Sequence, residues 1–173
     1  MRVRLVEGVV DVADVDAFVA DLDVVAAESG ATIQAFDARY VVSRRHLERA
    51  VELADRAIDR GEAIARDRAV EILLYAAGRR QITDALELGV SEGENRVVVL
   101  VDAGTSADGD HVEAEASDVI RSRVIDAVEP TLGEYDAERV REYFDIGEQE
   151  LDVVGGDLEA LVLERVALLV VEQ

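Results

Sequence analysis

Two arginines and a glutamine, Arg79-Arg80-Gln81, stand between two stretches of helical spacing. Residues 72–77 are apolar almost all round, as in a helix buried on most sides, and Gly78 supplies the left-handed conformation that ends a helix. From 81 to 88 the helical spacing resumes, with Ile82, Ala85 and Leu86 on one face and Gly89 as the next stop. The two guanidinium groups are thus held at a corner, beside the amides of a helix start, where an anion is favoured. Tyr75 adds an aromatic ring nearby. Phosphate pairing, base-edge hydrogen bonds and stacking are the components of single-stranded RNA recognition. On the residues alone, a solvated helix corner is the favoured reading and RNA recognition the alternative. Arg66 and Arg68, just before the first helix, could extend a phosphate track.

Other chemistry finds little support. His46 and His111 are the only histidines and share no metal-ligand spacing; one sits near a helix start and the other in a polar loop. There is no cysteine, so thiolate catalysis and cysteine-based zinc sites are excluded. No Gly-x-Ser-x-Gly elbow or P-loop occurs, because Gly78-Arg79-Arg80 follows a helix and lacks the Lys-Ser/Thr pair. Asp108/Asp110 and Glu113/Glu115 are close carboxylate pairs around the 104–110 loop, but 39 acidic residues make such pairs inevitable. They leave a stand-alone metal-dependent enzyme as a rival reading. Nothing assembles a nucleophile, a base and an orienting group, so no catalytic, metal or cofactor residue is predicted.

With 173 residues, the chain fits one domain over 1–173 with a substantial core. Only 4% of it is aromatic, so Val, Leu, Ile and Ala must build that core. The 39 acidic residues outweigh 18 basic ones, all arginine, for a formal net charge of −21. An acidic, lysine-free surface points to very high salt, as in the cytoplasm of haloarchaea, where screening shrinks self-repulsion. Such charge argues against nucleic acid as a general partner, yet it leaves room for a local arginine cluster. No stretch approaches the ~20 apolar residues of a membrane span, and the N-terminus carries no secretory cleavage pattern. A cytoplasmic location without membrane contact is the expectation.

The spacing predicts a half-buried strand at 2–6 and a helix capped by Asp14 that stops near Gly30. Short extended pieces follow at 32–36 and 40–42. Ser43 then caps a helix carrying Leu47, Ala50, Val51, Ala54 and Ile58 on one face, ending at Gly61. The run 97–101, mostly β-branched, predicts a central strand covered on both faces. The 104–110 loop leads to a helix over 116–128 that Pro130 closes. Asp136 opens a short helix with Tyr143-Phe144, read as core or interface. A further helix over 148–154 is broken by Gly155-Gly156. Asp157 caps a last helix that is apolar all round from 166 to 171, as a buried helix or one facing a partner would be. The sum is α+β, one compact domain with three to five short strands. A self-associating helical scaffold built on the last helix remains a third reading.

Glu71-Ile72-Leu73-Leu74-Tyr75, Gly78 and Arg80-Gln81-Ile82 together resemble the signature of the PRPK-binding protein family. That family supplies the kinase-binding subunit of the KEOPS tRNA-modification complex. The resemblance extends to 46–60, 97–101 and 158–171, and leaves roughly 103–134 unmatched. It implies a non-catalytic regulatory subunit that binds and activates the kinase-like ATPase subunit, meeting other KEOPS subunits indirectly. It also implies recruitment of tRNA by its single-stranded 3′ CCA end for threonylcarbamoyl-adenosine modification. Gly78, Arg80, Gln81 and Ile82 take the family positions for the tRNA contact, whereas Arg79 stands at a variable one. For the kinase contact, the resemblance points to the last helix, with Leu161, Leu168 and Leu169 as candidates.

Overall fold

The computed structural model describes residues 3–105 and 107–171; Arg2, at the start of the predicted first strand, lies outside them. The fold is α+β, with four strands and eight α-helices among the described residues. Contacts gather into two compact units, each assembled from separated pieces of chain. Of the described residues, one comprises those up to Asp37 together with Gly89–Thr131; the other comprises Ala38–Leu88 and those from Leu132 on.

The first unit is built on a four-stranded antiparallel sheet ordered β2-β3-β1-β4. Its strands are β1 (Arg4–Val12), β2 (Thr32–Asp37), β3 (Gly93–Asp102) and β4 (Ala127–Val128). The register sets Arg4 opposite Val101 and Val12 opposite Gly93, with Ile33 of β2 opposite Val101. Alternation then puts Val6, Val10, Val97, Val99, Ile33 and Ala35 into one core. Phe18, Leu22 and Val25 of α1 (Val15–Ser29) complete it with Ala116 and Ile120 of α5 (Gly109–Arg123). All five residues of 97–101 are completely buried. Gly8 has a steric reason to be glycine: a β-carbon there would overlap Ile125 and the carbonyl of Ala127, which approach as β4 joins the sheet.

The second unit is helical: α2 (Arg44–Asp59), α3 (Arg68–Ala77), α4 (Ile82–Ala85), α6 (Ala137–Tyr143), α7 (Glu148–Val153) and α8 (Leu158–Val171). Ser43 caps α2 by accepting the amide of His46 at 3.2 Å, and Asp157 accepts that of Ala160 at 3.1 Å at the start of α8. Residues 71–77 of α3 are all buried, Glu71 included. Helix α2 packs on α3 and α8, and α3 packs on α8. His46 is completely buried; its Nε2 lies 2.8 Å from the carbonyl of Ala76, and its Nδ1 accepts the amide of Val42 at 3.4 Å. Burial pushes its pKa down to about 4, with the Ala76 carbonyl pulling the other way. It is a structural histidine joining α2 to α3.

Several expectations need correction. Residues 38–40 form a 3-10 turn rather than the start of a strand at 40–42, because Tyr40 and Val41 turn inward. Helix α5 begins at Gly109 and ends at Arg123, so His111 belongs to a helix, exposed and paired with Glu115, and 127–128 is strand. The second helix of the corner is short: α4 has four residues before a 3-10 turn at Leu86–Leu88. It therefore offers no helix start long enough to attract an anion.

Candidate functional site

Gly78 ends α3 in the left-handed conformation, at φ 63°. Its amide donates to Tyr75, and that of Arg79 donates to Leu74, each at 3.1 Å, which closes a Schellman motif. A β-carbon on Gly78 would stand 3.1 Å from the backbone carbonyl oxygen of Arg165 in α8, so the residue answers both a backbone and a packing demand. Arg165 in turn donates to the carbonyls of Phe144 and Asp145, each at 3.0 Å, and to Glu150 at 2.6 Å. The corner is therefore braced from α8, which is itself tied to the segment leading into α7.

The two arginines have separate fates. Arg79 lies over the ring of Tyr143, 4.4 Å from its centroid, and donates to the Tyr143 carbonyl. It fastens the corner to the end of α6. Arg80 is exposed and has no hydrogen-bond or ion-pair partner among the described residues. It lines an open cleft of about 460 Å³ with Glu62, Ala63, Ile64 and Val170. A small recess adjoins it through the shared Glu62 and Val170, and is lined also by Arg56 and Arg60 of α2.

The wall opposite Arg80 is held by Glu71, which sequence reasoning recognised only as a motif residue. Its buried carboxylate accepts the amide of Ile64 at 3.0 Å on each oxygen and that of Ala65 at 2.7 Å. A carboxylate inside an apolar helix is the signal that could have revealed it, since a buried acid requires donors. The loop's other end is closed by the amide of Gly61 donating to Ile58 at 3.1 Å and that of Glu62 donating to Ala57 at 2.8 Å.

The remaining candidates divide cleanly. Gln81 and Ile82 are exposed, beside Arg80 in the chain but outside the cleft lining, and Arg66 is exposed on the 61–67 loop. Arg68 makes a two-pronged ion pair with Asp55, at 2.8 and 2.9 Å, and is committed to the fold. Tyr75 is completely buried, so it offers no ring face for stacking; an apolar helix buried all round takes its tyrosine inside. On α8, Leu161 and Leu169 are 2% and 1% exposed and belong to the core, whereas Leu168 is 38% exposed. Residues 158–170 of α8 thus have a buried face and an open one, and the side chain of Val171 lies outside the described residues.

A second cleft, of about 400 Å³, lies between α6 and the 82–88 segment and is lined by Arg79, Asp84, Glu87, Arg139, Glu142 and Tyr143, among others. Its polar groups largely satisfy one another. Tyr40 donates to Glu87 at 2.5 Å, and Tyr143 donates to the carbonyl of Asp84 at 2.8 Å. Burial raises the pKa of both hydroxyls. Among the described residues, no group of three or more His, Asp or Glu side chains is arranged to hold a metal ion. Nor is any helix there long and apolar enough to cross a membrane.

The family model described as kinase binding protein CGI-121 matches residues 10–169, nearly the whole chain. No curated protein matches the sequence.

Proposed function

The chain belongs to the kinase binding protein CGI-121 family, and from that premise we propose that it is a non-catalytic regulatory subunit of the KEOPS complex. In this reading it binds and activates the kinase-like ATPase subunit, reaching the other subunits indirectly. It recruits tRNA through the 3′ CCA end for threonylcarbamoyl-adenosine modification, in a cytoplasm of high salt. It contributes binding energy and geometry, and the chemistry belongs to other subunits. The kinase contact uses the open side of α8 around Leu168.

The observation that carries the tRNA reading is Arg80. Acidic residues outnumber arginines 39 to 18, yet this guanidinium is exposed and unpaired among the described residues. It stands at a cleft whose framing residues, Gly78 and Glu71, are fixed by backbone geometry and hydrogen bonds. A cation held without a partner suits a phosphate that arrives with the ligand.

The test is Arg80→Glu, with tRNA binding followed by fluorescence anisotropy at high salt and the kinase contact followed by pull-down. Replacing a charge-assisted hydrogen bond by repulsion costs ~2 to 4 kcal/mol, or roughly thirty- to a thousand-fold in affinity. Kinase binding and the circular dichroism spectrum stay unchanged. Trimming the CCA end weakens the wild type about as much, and the two losses do not add. If trimmed tRNA binds as well as intact tRNA, the corner is only a solvated helix turn.

A further inference from the structure

We infer that Glu62 is a specificity-determining residue of the Arg80 cleft, accepting a hydrogen bond from the exocyclic amino group of an RNA base so that cytosine or adenine is favoured over uracil. The inference rests on the reading of this cleft as an RNA site. Glu62 lines both the main cleft and the adjoining recess, and between them these carry Arg80, Arg56 and Arg60. None of the three forms an ion pair with it, and Glu62 has no side-chain partner among the described residues. Its backbone is nevertheless fixed, by the left-handed Gly61 at φ 72° and by its own amide on Ala57.

A carboxylate in this position opposes any purely anionic ligand. A ligand that uses all four side chains must present negative charge to the arginines and a hydrogen-bond donor to Glu62. Single-stranded RNA meets both demands, with phosphates along the backbone and donors on the base edges. Ile64 and Val170 supply apolar wall for a base to lie against, in place of the ring that the buried Tyr75 withholds. An ionised carboxylate only accepts hydrogen bonds. Cytosine offers it the N4 amino group, adenine the N6 amino group and guanine its N1–H and N2 amino group, whereas uracil turns its O4 carbonyl to the place of the cytosine amino group and leaves two acceptors facing each other.

The probes are intact tRNA and the same tRNA with both cytosines of the terminal triplet replaced by uridine, titrated against the full chain at high salt. Wild type binds the cytosine form tighter by about five- to tenfold, the low end of base discrimination because Glu62 is solvent-exposed. Glu62→Gln erases the difference, since a carboxamide can turn its oxygen to an amine or its NH2 to a carbonyl. Glu62→Ala also erases it, and binds the uridine form more tightly than wild type because a repulsive charge has gone. Glu62 is exposed, so both variants keep the wild-type circular dichroism spectrum. Equal affinities in wild type, or an unchanged ratio in Glu62→Gln, overturn the inference while leaving an Arg80-dependent RNA site standing. If neither RNA binds the wild-type chain, the RNA reading falls and this inference falls with it.

Discussion

Glu71→Gln isolates the part of the structure that holds the cleft open without touching what enters it. Glu71 is fully buried, and its two oxygens receive the amides of Ile64 and Ala65 at 2.7 to 3.0 Å. The substitution keeps the side-chain volume but leaves one acceptor oxygen and aims an NH2 at a backbone N–H. Losing one charge-assisted hydrogen bond costs ~1.5 to 3 kcal/mol. Leaving a second amide partly unsatisfied adds to this, though Ile64 and Ala65 are only half-buried and water recovers some of it. A total of ~2 to 3 kcal/mol lowers the melting temperature by roughly 4 to 12 °C for a chain of this size. Circular dichroism melts at fixed high salt measure it. Anisotropy well below the melt should show tRNA affinity falling too, because the 61–67 loop has lost its anchor. A melting temperature within about 1 °C of wild type would mean that water serves those amides as well as the carboxylate does, and that Glu71 does not hold the loop.

Three further outcomes are expected. His46 titrates near 6.5 in the unfolded chain and near 4 when folded, so the unfolded state takes up the proton first as pH falls. Stability present above pH 6.5 is lost progressively toward pH 4, by ~1 kcal/mol between about pH 7 and 5.5 and ~3 kcal/mol in full. Denaturant melts of wild type and His46→Gln across that range should show a steeper loss of stability in wild type, the difference between the two matching the His46 contribution. Leu168→Glu should keep the fold and lose the kinase in a pull-down, whereas Leu169→Glu, placed in the core, should cost on the order of 4 kcal/mol and unfold the chain. Loss of folding in Leu168→Glu would remove it from the interface. Last, the melting temperature should fall on dilution from about 3 M to about 0.1 M KCl as the Debye length grows toward ~10 Å. No change would refute the high-salt reading of the composition.

Elements with a cap at one end and a glycine at the other were legible. Asp14 with Gly30, Ser43 with Gly61, and Gly78 after α3 each mark a boundary found in the structure. The β-branched run at 97–101 read correctly as strand, though the strand extends to Gly93–Asp102 because polar residues outside the run still pair with β1. The helix placed at 116–128 was shifted because apolar spacing continues past Arg123, while the chain there bends to give β4 its two pairs with β1. At the site, residue type identified the arginines but not their use. Whether a guanidinium is spent on the fold depends on remote partners, Tyr143 for Arg79 and Asp55 for Arg68, which spacing cannot show. The same holds for α8: an all-round apolar stretch does not say which side is covered, so Leu168 and Leu169 looked alike.

The alternation of the two units along the chain bears on how the protein is made. Helix α3 is finished at Ala77, but Leu169, on the α8 that packs against it, follows 92 residues later (169 − 77). At ribosomal rates that is a delay of roughly 5 to 18 s, during which an apolar helix with no open polar face waits for its cover. A message truncated before the Arg165 codon would supply Arg80 without the backbone that approaches Gly78. The arginine would be present on a corner that had never been set.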